Sequence, residues 1–166
     1  MSKAALLQWE FLHFEELSVH QLYALLQLRS EAFVVEQRCV YQDMDGGDLH
    51  AMHLLGSVDG KIVACARCFQ KGQTFEQGAQ LIEASIGRVV THASLRGQGA
   101  GHLLMQEAIA RTQEKWGCVP IRISAQAHLK DFYAQHGFTV IGASYDEDGI
   151  PHLGMLRQPS LMKDAS

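Results

Sequence analysis

Hydrophobic and polar positions recur with different periods along the chain and predict a succession of strands and helices. Residues 8–13 alternate in polarity, which is typical of a half-buried strand. After the N-cap candidate Ser18, a spacing of three and four predicts an amphipathic helix over 19–33, with Leu22, Leu25, Leu26, Arg29 and Phe33 at the recurring positions. By the same criteria we predict strands over 51–57, 61–69, 82–91, 121–126, 138–145 and 152–157, and helices over 99–116 and 128–136.

Turn residues separate these elements and indicate the fold class. Asp59-Gly60 and Asp148-Gly149 are pairs that favour tight hairpin turns. Gly117 follows the long helix at a common stop position, and the stretch 36–50 is polar, acidic and glycine-containing, so we predict a loop there. The resulting order, β-α-β-β-β-α-β-α-β-β, indicates a mixed α/β (α+β) fold.

Length, composition and charge narrow the function classes. A chain of 166 residues suits about one domain, which we expect over 1–158 with a flexible C-terminal tail over 159–166. The net charge of −4 disfavours a nucleic-acid groove, and no apolar run has the ~18 residues of a membrane span, so we expect neither nucleic acid nor membrane as a partner. The N terminus does not have the pattern of a signal peptide, so we expect a cytoplasmic protein with reduced thiols at Cys39, Cys65, Cys68 and Cys118.

One pattern raises the question of a zinc site. Cys65 and Cys68 have the spacing of a ligand pair, with His50 and His53 upstream. On a strand, however, residues i and i+3 face opposite sides of the sheet, so the two thiols diverge. We therefore expect buried strand thiols and no metal.

The junction of the strand at 82–91 with the long helix carries the most informative chemistry. Three glycines alternate at positions 97, 99 and 101, which leaves the first amides of the helix open. These donors and the positive end of the helix dipole favour an anion, with a pyrophosphate as the natural ligand. His102 and Leu103 follow where a Walker loop needs lysine and serine or threonine, and the glycine spacing is not that of a dinucleotide fingerprint.

The same segment carries a resemblance to a known family. Arg96-Gly97-Gln98-Gly99-Ala100-Gly101 fits the motif Q/R-x-x-G-x-G/A of the GCN5-related N-acetyltransferase (GNAT) superfamily, and FYAQHGF at 132–138 resembles that family's YxxxGF helix end. The strings FVVEQRCVYQDMDGGD (33–48), SIGRVV (85–90) and EDGIPH (147–152) are similar to the ElaA-like subgroup. The resemblance implies the GNAT fold, a mixed, mostly antiparallel sheet with splayed central strands flanked by helices.

This resemblance implies an N-acetyltransferase that moves an acetyl group from acetyl-CoA to an amine by direct attack in a ternary complex. The amine would be a small molecule or a peptide. Two alternatives remain open: another acyl-CoA or an acyl carrier as donor, and a CoA-binding module without turnover. Apolar strand edges also allow a homodimer by edge pairing.

The resemblance also assigns roles to residues of the cofactor site. Tyr133 matches the family tyrosine that protonates the departing thiolate, which a phenol can do. Gln126 occupies the position of a cofactor-contacting asparagine. The backbone of a strand bulge would bind the thioester and the pantetheine arm, and the glycine-rich loop would bind the pyrophosphate. The matching positions are Val89, Val90 and Thr91 for the bulge, and Arg96, Gly97, Gln98, Gly99, Ala100 and Gly101 for the loop.

The general base and the acceptor site are less specified by the sequence. Glu36 is the first candidate base because it lies where the helix meets the acidic loop. The other candidates are Glu83, Asp43, Asp45, Asp48, His50 and His53. Arg67 and Arg88 lie within apolar strands, so they must either pair with an acid such as Glu36 or Glu83, or face an anionic group of the acceptor. His152 belongs either to a structural turn or to the acceptor site.

Overall fold

The structure is a computed structural model that describes residues 1–70 and 83–160. Within these residues, seven strands form one sheet in the order β1-β2-β3-β4-β5-β7-β6. The strands are β1 (Gln8–His13), β2 (Met52–Val58), β3 (Lys61–Phe69), β4 (Ala84–Thr91), β5 (Ile121–Gln126), β6 (Phe138–Glu147) and β7 (Ile150–Arg157). The α-helices are α1 (Val19–Arg29), α2 (Ala100–Trp116) and α3 (Lys130–Ala134).

The helices cover both faces of the sheet. Residues of α2 such as Leu104 and Met105 pack on one face in a core cluster that includes Ala66, Cys68 and Ile123. Leu25 and Leu28 of α1 pack on the other face, in a cluster that includes Cys65 and Val90. The predicted divergence of the two strand thiols is therefore confirmed, and burial raises the pKa of each to about 12.

The predicted element order and both Asp-Gly turns are confirmed. Asp59 and Gly60 have φ of 50° and 74°, and Asp148 and Gly149 have φ of 52° and 81°, as two-residue hairpin turns require. The last two strands run further than predicted, because pairing continues up to the turn at Glu147 and Ile150.

Helix bounds differ most from the prediction. α1 ends at Arg29, and the chain continues as a π-helix over Ser30–Glu36, a winding that apolar spacing over seven residues does not distinguish from α. The third helix has a 3₁₀ turn over Ala127–Leu129 before its five α-helical residues. The predicted strand residue 82 and tail residues 161–166 lie outside the described residues.

The centre of the sheet is split, as the fold prediction implied. The parallel strands β4 and β5 pair only at Ala84 with Ile121 and at Ser85 with Arg122. Between the β3 partners Cys65 and Arg67, β4 contains one extra residue, a bulge at 88–89 where φ of Arg88 is 50°. The two strands therefore separate toward their C-terminal ends.

Candidate functional site

The separation of β4 and β5 opens a cleft of about 880 Å³. Val89 lines it from β4, Gln126 from β5 and Tyr133 from α3. The opposite wall comes from the segment that follows α1 and includes Phe33 and Tyr41. The cleft thus lies between the sheet and the predicted acidic loop.

The N terminus of α2 follows β4 after eight residues, 92–99. Gly97 and Gly99 have φ of 75° and 76°, and a Cβ at either position would meet nothing within 4 Å. The amide of Leu103 donates to the carbonyl of Gly99 at 3.2 Å, so the amides before it lie ahead of the helical hydrogen-bond ladder. Open space, unpaired first-turn amides and a 17-residue helix dipole fit a diphosphate.

Two predicted loop residues have protein partners for their side chains. Gln98 donates to the carbonyl of Ser94 at 2.9 Å and accepts from the amide of Ala4 at 3.4 Å, which braces the loop. Arg96 forms an ion pair with Glu36 at the surface. Glu36, the first candidate base, is therefore directed toward the loop, while Phe33 and Gln37 face the cleft.

The bulge residues present backbone to the cleft. Val90 and Thr91 pair with Cys65 and Ala64 of β3, and Val90 is buried in the α1-side core. Beyond Ser85, β4 has no partner strand on its β5 side within 83–91. Backbone groups on that edge are consequently available to a ligand, whereas the side chain of Val90 packs in the core cluster on the α1 side of the sheet.

Tyr133 combines burial with access to the cleft. It is 8% exposed, and its ring lies edge-on to Phe132 and Phe138 at centroid distances of 5.0 and 6.2 Å. Burial raises the pKa of its phenol to about 12, so the hydroxyl is protonated at neutral pH. The position is suited to a proton donor.

Three arginines and three aspartates form a partly buried network that holds the acidic loop against the sheet. Arg29, 1% exposed, binds Asp43 at 2.8 Å and Asp48 at 2.7 Å. Arg67 binds Asp45 at 2.7 Å and Asp48 at 3.2 Å, and Arg88 binds Asp43 at 2.7 Å. We call these six residues the arginine–aspartate network.

The network corrects the expected partners of the strand arginines. Arg67 and Arg88 pair with aspartates of the loop and not with Glu36 or Glu83, because the loop folds back over the strands. Burial alone would raise the pKa of Asp45 and Asp48. Hydrogen bonds from Arg67 to Asp45 and from Arg29 to Asp48 instead hold both pKa values below their ordinary range. These carboxylates are therefore weak proton acceptors.

Of the other candidate bases, Glu83 and His53 lie in settings that do not favour the role. Glu83 is buried and accepts from Arg122 at 3.2 Å. His53 is fully buried, its Nε2 lies 2.9 Å from the carbonyl oxygen of Asp48, and burial lowers its pKa. His50 is exposed on the short 3₁₀ helix Gly47–His50. Within the described residues, no group of three His, Cys, Asp or Glu side chains is arranged to hold a metal ion.

A polar cluster that the sequence analysis largely missed lines the β5–β7–β6 side of the cleft. It consists of Ser124, Tyr145, Glu147 and His152, of which only His152 was predicted for the site. The period of two that places Tyr145 and Glu147 on one face of β6 was a usable signal. A strand predicted to end at residue 145 does not include Glu147, whereas β6 extends to Glu147.

Among the residues that the structure describes, no helix has the length and apolar character needed to cross a membrane.

Comparisons with known proteins agree with this geometry. A family model described as "Acetyltransferase (GNAT) domain" matches residues 16–158. The chain is 44% identical over 155 residues to protein ElaA of Escherichia coli, an alignment that covers 92% of this chain and 97% of that protein.

Two solved structures are similar over nearly the same range. An acyl-CoA N-acyltransferase from Pseudomonas aeruginosa superposes with a TM-score of 0.83 at 43% identity, covering 91% of this chain and 99% of that one. Escherichia coli ElaA gives a TM-score of 0.82 at 44% identity, covering 92% and 99%. The chain therefore belongs to the GNAT acetyltransferase family, whose members use an acyl-CoA as cosubstrate, and to its ElaA-like subgroup.

Proposed function

We propose that the protein is an N-acetyltransferase that moves an acetyl group from acetyl-CoA to the amine of a small molecule or peptide. The observation that carries this proposal is the separation of β4 from β5 beside the open N terminus of α2. A diphosphate bound at that terminus directs a pantetheine arm into the cleft, where the thioester meets the bulge of β4.

The chain's own groups account for the steps of a direct transfer. The amides of 99–102 bind the diphosphate, with Arg96 beside them. Backbone N–H groups of Val89–Thr91 on the open edge of β4 stabilise negative charge that develops on the carbonyl oxygen. Tyr133 donates its phenolic proton to the departing thiolate, and Gln126 lines the path of the arm. The amine enters from the side of the cleft that faces the acidic loop.

A thiol-release screen tests the proposal. Acetyl-CoA, longer acyl-CoAs and free CoA are each combined with a panel of primary amines and peptides, and free thiol and acylated product are measured. We expect acetyl-CoA and at least one amine to give equal amounts of thiol and amide. Preference for a longer chain would correct the donor, while binding of CoA with no turnover of any amine would contradict the enzymatic proposal.

Gly99→Ala provides the matched test of the diphosphate site. Gly99 and Gly60 have nearly equal φ, 76° and 74°, and a Cβ added at either would meet nothing within 4 Å, so alanine strains both backbones by about 1 kcal/mol. Only Gly99 borders the proposed diphosphate. We expect Gly99→Ala to weaken acetyl-CoA binding by about tenfold or more in calorimetry, and Gly60→Ala to leave it within about twofold. Equal effects of the two substitutions would contradict the assignment.

A further inference from the structure

The cluster of Ser124, Tyr145, Glu147 and His152 suggests how the acceptor loses its proton. An amine arrives as an ammonium at neutral pH and must be deprotonated before it attacks a thioester. We infer that His152 accepts this proton and that Glu147 binds the ammonium and then stabilises the imidazolium. This inference rests on the proposed function and adds the proton acceptor of the same site.

A backbone contact fixes the tautomer of His152. Its Nδ1 lies 2.7 Å from the carbonyl oxygen of Ile150, which only accepts hydrogen bonds, so Nδ1 carries a hydrogen. In the neutral ring the lone pair therefore belongs to Nε2. Nε2 lies 3.4 Å from Oε2 of Glu147, so a proton taken up there forms an ion pair at once.

A chain of hydroxyl groups holds the carboxylate in place. Ser124 Oγ donates to Oε2 of Glu147 at 3.2 Å, which leaves Oγ free to accept from the hydroxyl of Tyr145, with which it is in close contact. The Tyr145 ring stacks on His152 at a centroid distance of 6.1 Å and an interplanar angle of 25°. The base and its carboxylate are thus oriented by the same tyrosine.

Strand register brings the cluster together. Gln126 on β5, His152 on β7 and Tyr145 on β6 are paired in one row across the sheet. Between the partners of His152 and Gly154, β6 contains two extra residues, and Gly142 in this bulge has φ of 72°. The bulge moves Tyr145 into register with His152, beside the cofactor-contacting position Gln126.

Glu147 also differs in its partners from the other carboxylates considered as bases. Glu36, Glu83 and the loop aspartates each accept from an arginine. Glu147 is 48% exposed and contacts Ser124 and His152, so its negative charge faces the cleft. The titratable and charged groups that line the cleft together with His152 are Glu147, Tyr145, Tyr133, Asp148, Arg122, Cys39 and Tyr41, and Asp45, Arg67 and Arg88 of the arginine–aspartate network.

Protons and bonds balance across the transfer. The ammonium gives one proton to Nε2 of His152, and the freed amine forms a C–N bond to the acyl carbon as the C–S bond breaks. Tyr133 gives its proton to the thiolate, and the second proton lost by nitrogen returns to the phenolate through water. The imidazolium of His152 releases the first proton to solvent, so the net products are an amide, a thiol and one proton.

The experiment compares two acceptors that differ in protonation. One is the primary amine with the highest activity in the screen; the other is its aminooxy isostere, which is neutral at pH 7 and needs no base before attack. Both are assayed with wild type, His152→Gln and Glu147→Gln, and with His128→Gln as the matched control because His128 does not line the cleft. Acetyl-CoA affinity by calorimetry checks that each variant is folded.

We expect His152→Gln to lower kcat for the amine by about 100-fold at pH 7, and to leave the aminooxy compound within about threefold of wild type. The acidic limb of the kcat/KM profile for the amine should also move to higher pH, because only amine that is already deprotonated in solution can then react. Glu147→Gln, which leaves the His152 ring in place, should raise KM for the amine more than for the neutral compound. His128→Gln should match wild type.

The possible failures are distinguishable. Full activity of His152→Gln and Glu147→Gln with the amine, or equal losses with both acceptors, would overturn this inference while leaving the acetyltransferase proposal standing. If His152→Gln does not bind acetyl-CoA, Glu147→Gln decides, and an unchanged KM for the amine overturns the inference. Wild type that transfers to neither acceptor would overturn the proposed function, and this inference with it.

Discussion

At Tyr133, a catalytic role and a packing role can be tested separately, because the first requires the hydroxyl group and the second requires only the ring. Its ring contacts Phe132 and Phe138, and phenylalanine would preserve both contacts. Because burial raises the pKa of Tyr133 to about 12, the acid form persists through neutral and mildly alkaline pH. A role as proton donor therefore predicts no loss of activity from its ionisation below about pH 10.

We expect Tyr133→Phe to lower kcat by about 100-fold and to change acetyl-CoA affinity by less than about threefold. Steady-state kinetics and calorimetry measure the two effects separately. Tyr23→Phe is the control, because Tyr23 is 75% exposed on α1 and should behave as wild type. Turnover of Tyr133→Phe at the wild-type rate would assign the residue to packing alone.

Individual side chains show where sequence patterns are insufficient. Arg29 fits the apolar period of α1, yet its guanidinium is almost fully buried on aspartates 14 and 19 positions away. Nothing in the local pattern specifies that pairing, because it depends on how the loop folds back over the sheet. In contrast, the open turn before α2 was predictable from glycines 97 and 99, because glycine adopts the positive φ found there more readily than other residues do.

At the level of elements, the loop at 36–50 is a structural wall of the cleft. Its acidic residues were predicted as candidates for catalysis, but Asp43, Asp45 and Asp48 serve to bind three arginines from α1, β3 and β4. Hairpin turns and the long helix were predictable from local sequence. The bulges in β4 and β6 were not specified by local patterns, because they are defined by the neighbouring strand.

Arg29→Met tests the structural role of the arginine–aspartate network. Loss of the guanidinium leaves Asp43 and Asp48 buried without that partner, so we expect the free energy of unfolding at pH 7 to fall by about 3–5 kcal/mol in urea titrations. Arg111→Met removes a surface pair with Glu107 and should cost less than about 1 kcal/mol. Equal costs would show that the arginine–aspartate network does not hold the loop.

The contribution of the network aspartates to the free energy of unfolding depends on pH. The folded-state pKa values of Asp45 and Asp48 lie below those of the unfolded chain, near 3.9. Their contribution is therefore complete above about pH 5 and is lost as pH falls below about 4 toward the folded-state values. Wild-type stability should decrease over that acidic range, and the penalty of Arg29→Met should shrink with it.

At the scale of the whole molecule, the proposed reaction is divided between the two sides of the split in the sheet. The N terminus of α2 follows the open end of β4, whereas the cluster around His152 lies across the split, on β5, β6 and β7. The splayed sheet was predictable from family resemblance. The proposed acceptor half of the cleft was not, since it combines residues 33–45 with 122–154. Such long-range contacts follow from topology and not from local patterns.

The central claim is that the first amides of α2 bind a diphosphate while the open edge of β4 binds the arm attached to it. An NMR titration of backbone amides with CoA and, separately, with pantetheine tests this most directly, because pantetheine lacks the diphosphate. The account predicts that CoA shifts the amides of 97–102 and 89–91, and that pantetheine at high concentration shifts only those of 89–91. Unchanged amides at 97–102 in saturating CoA would contradict it.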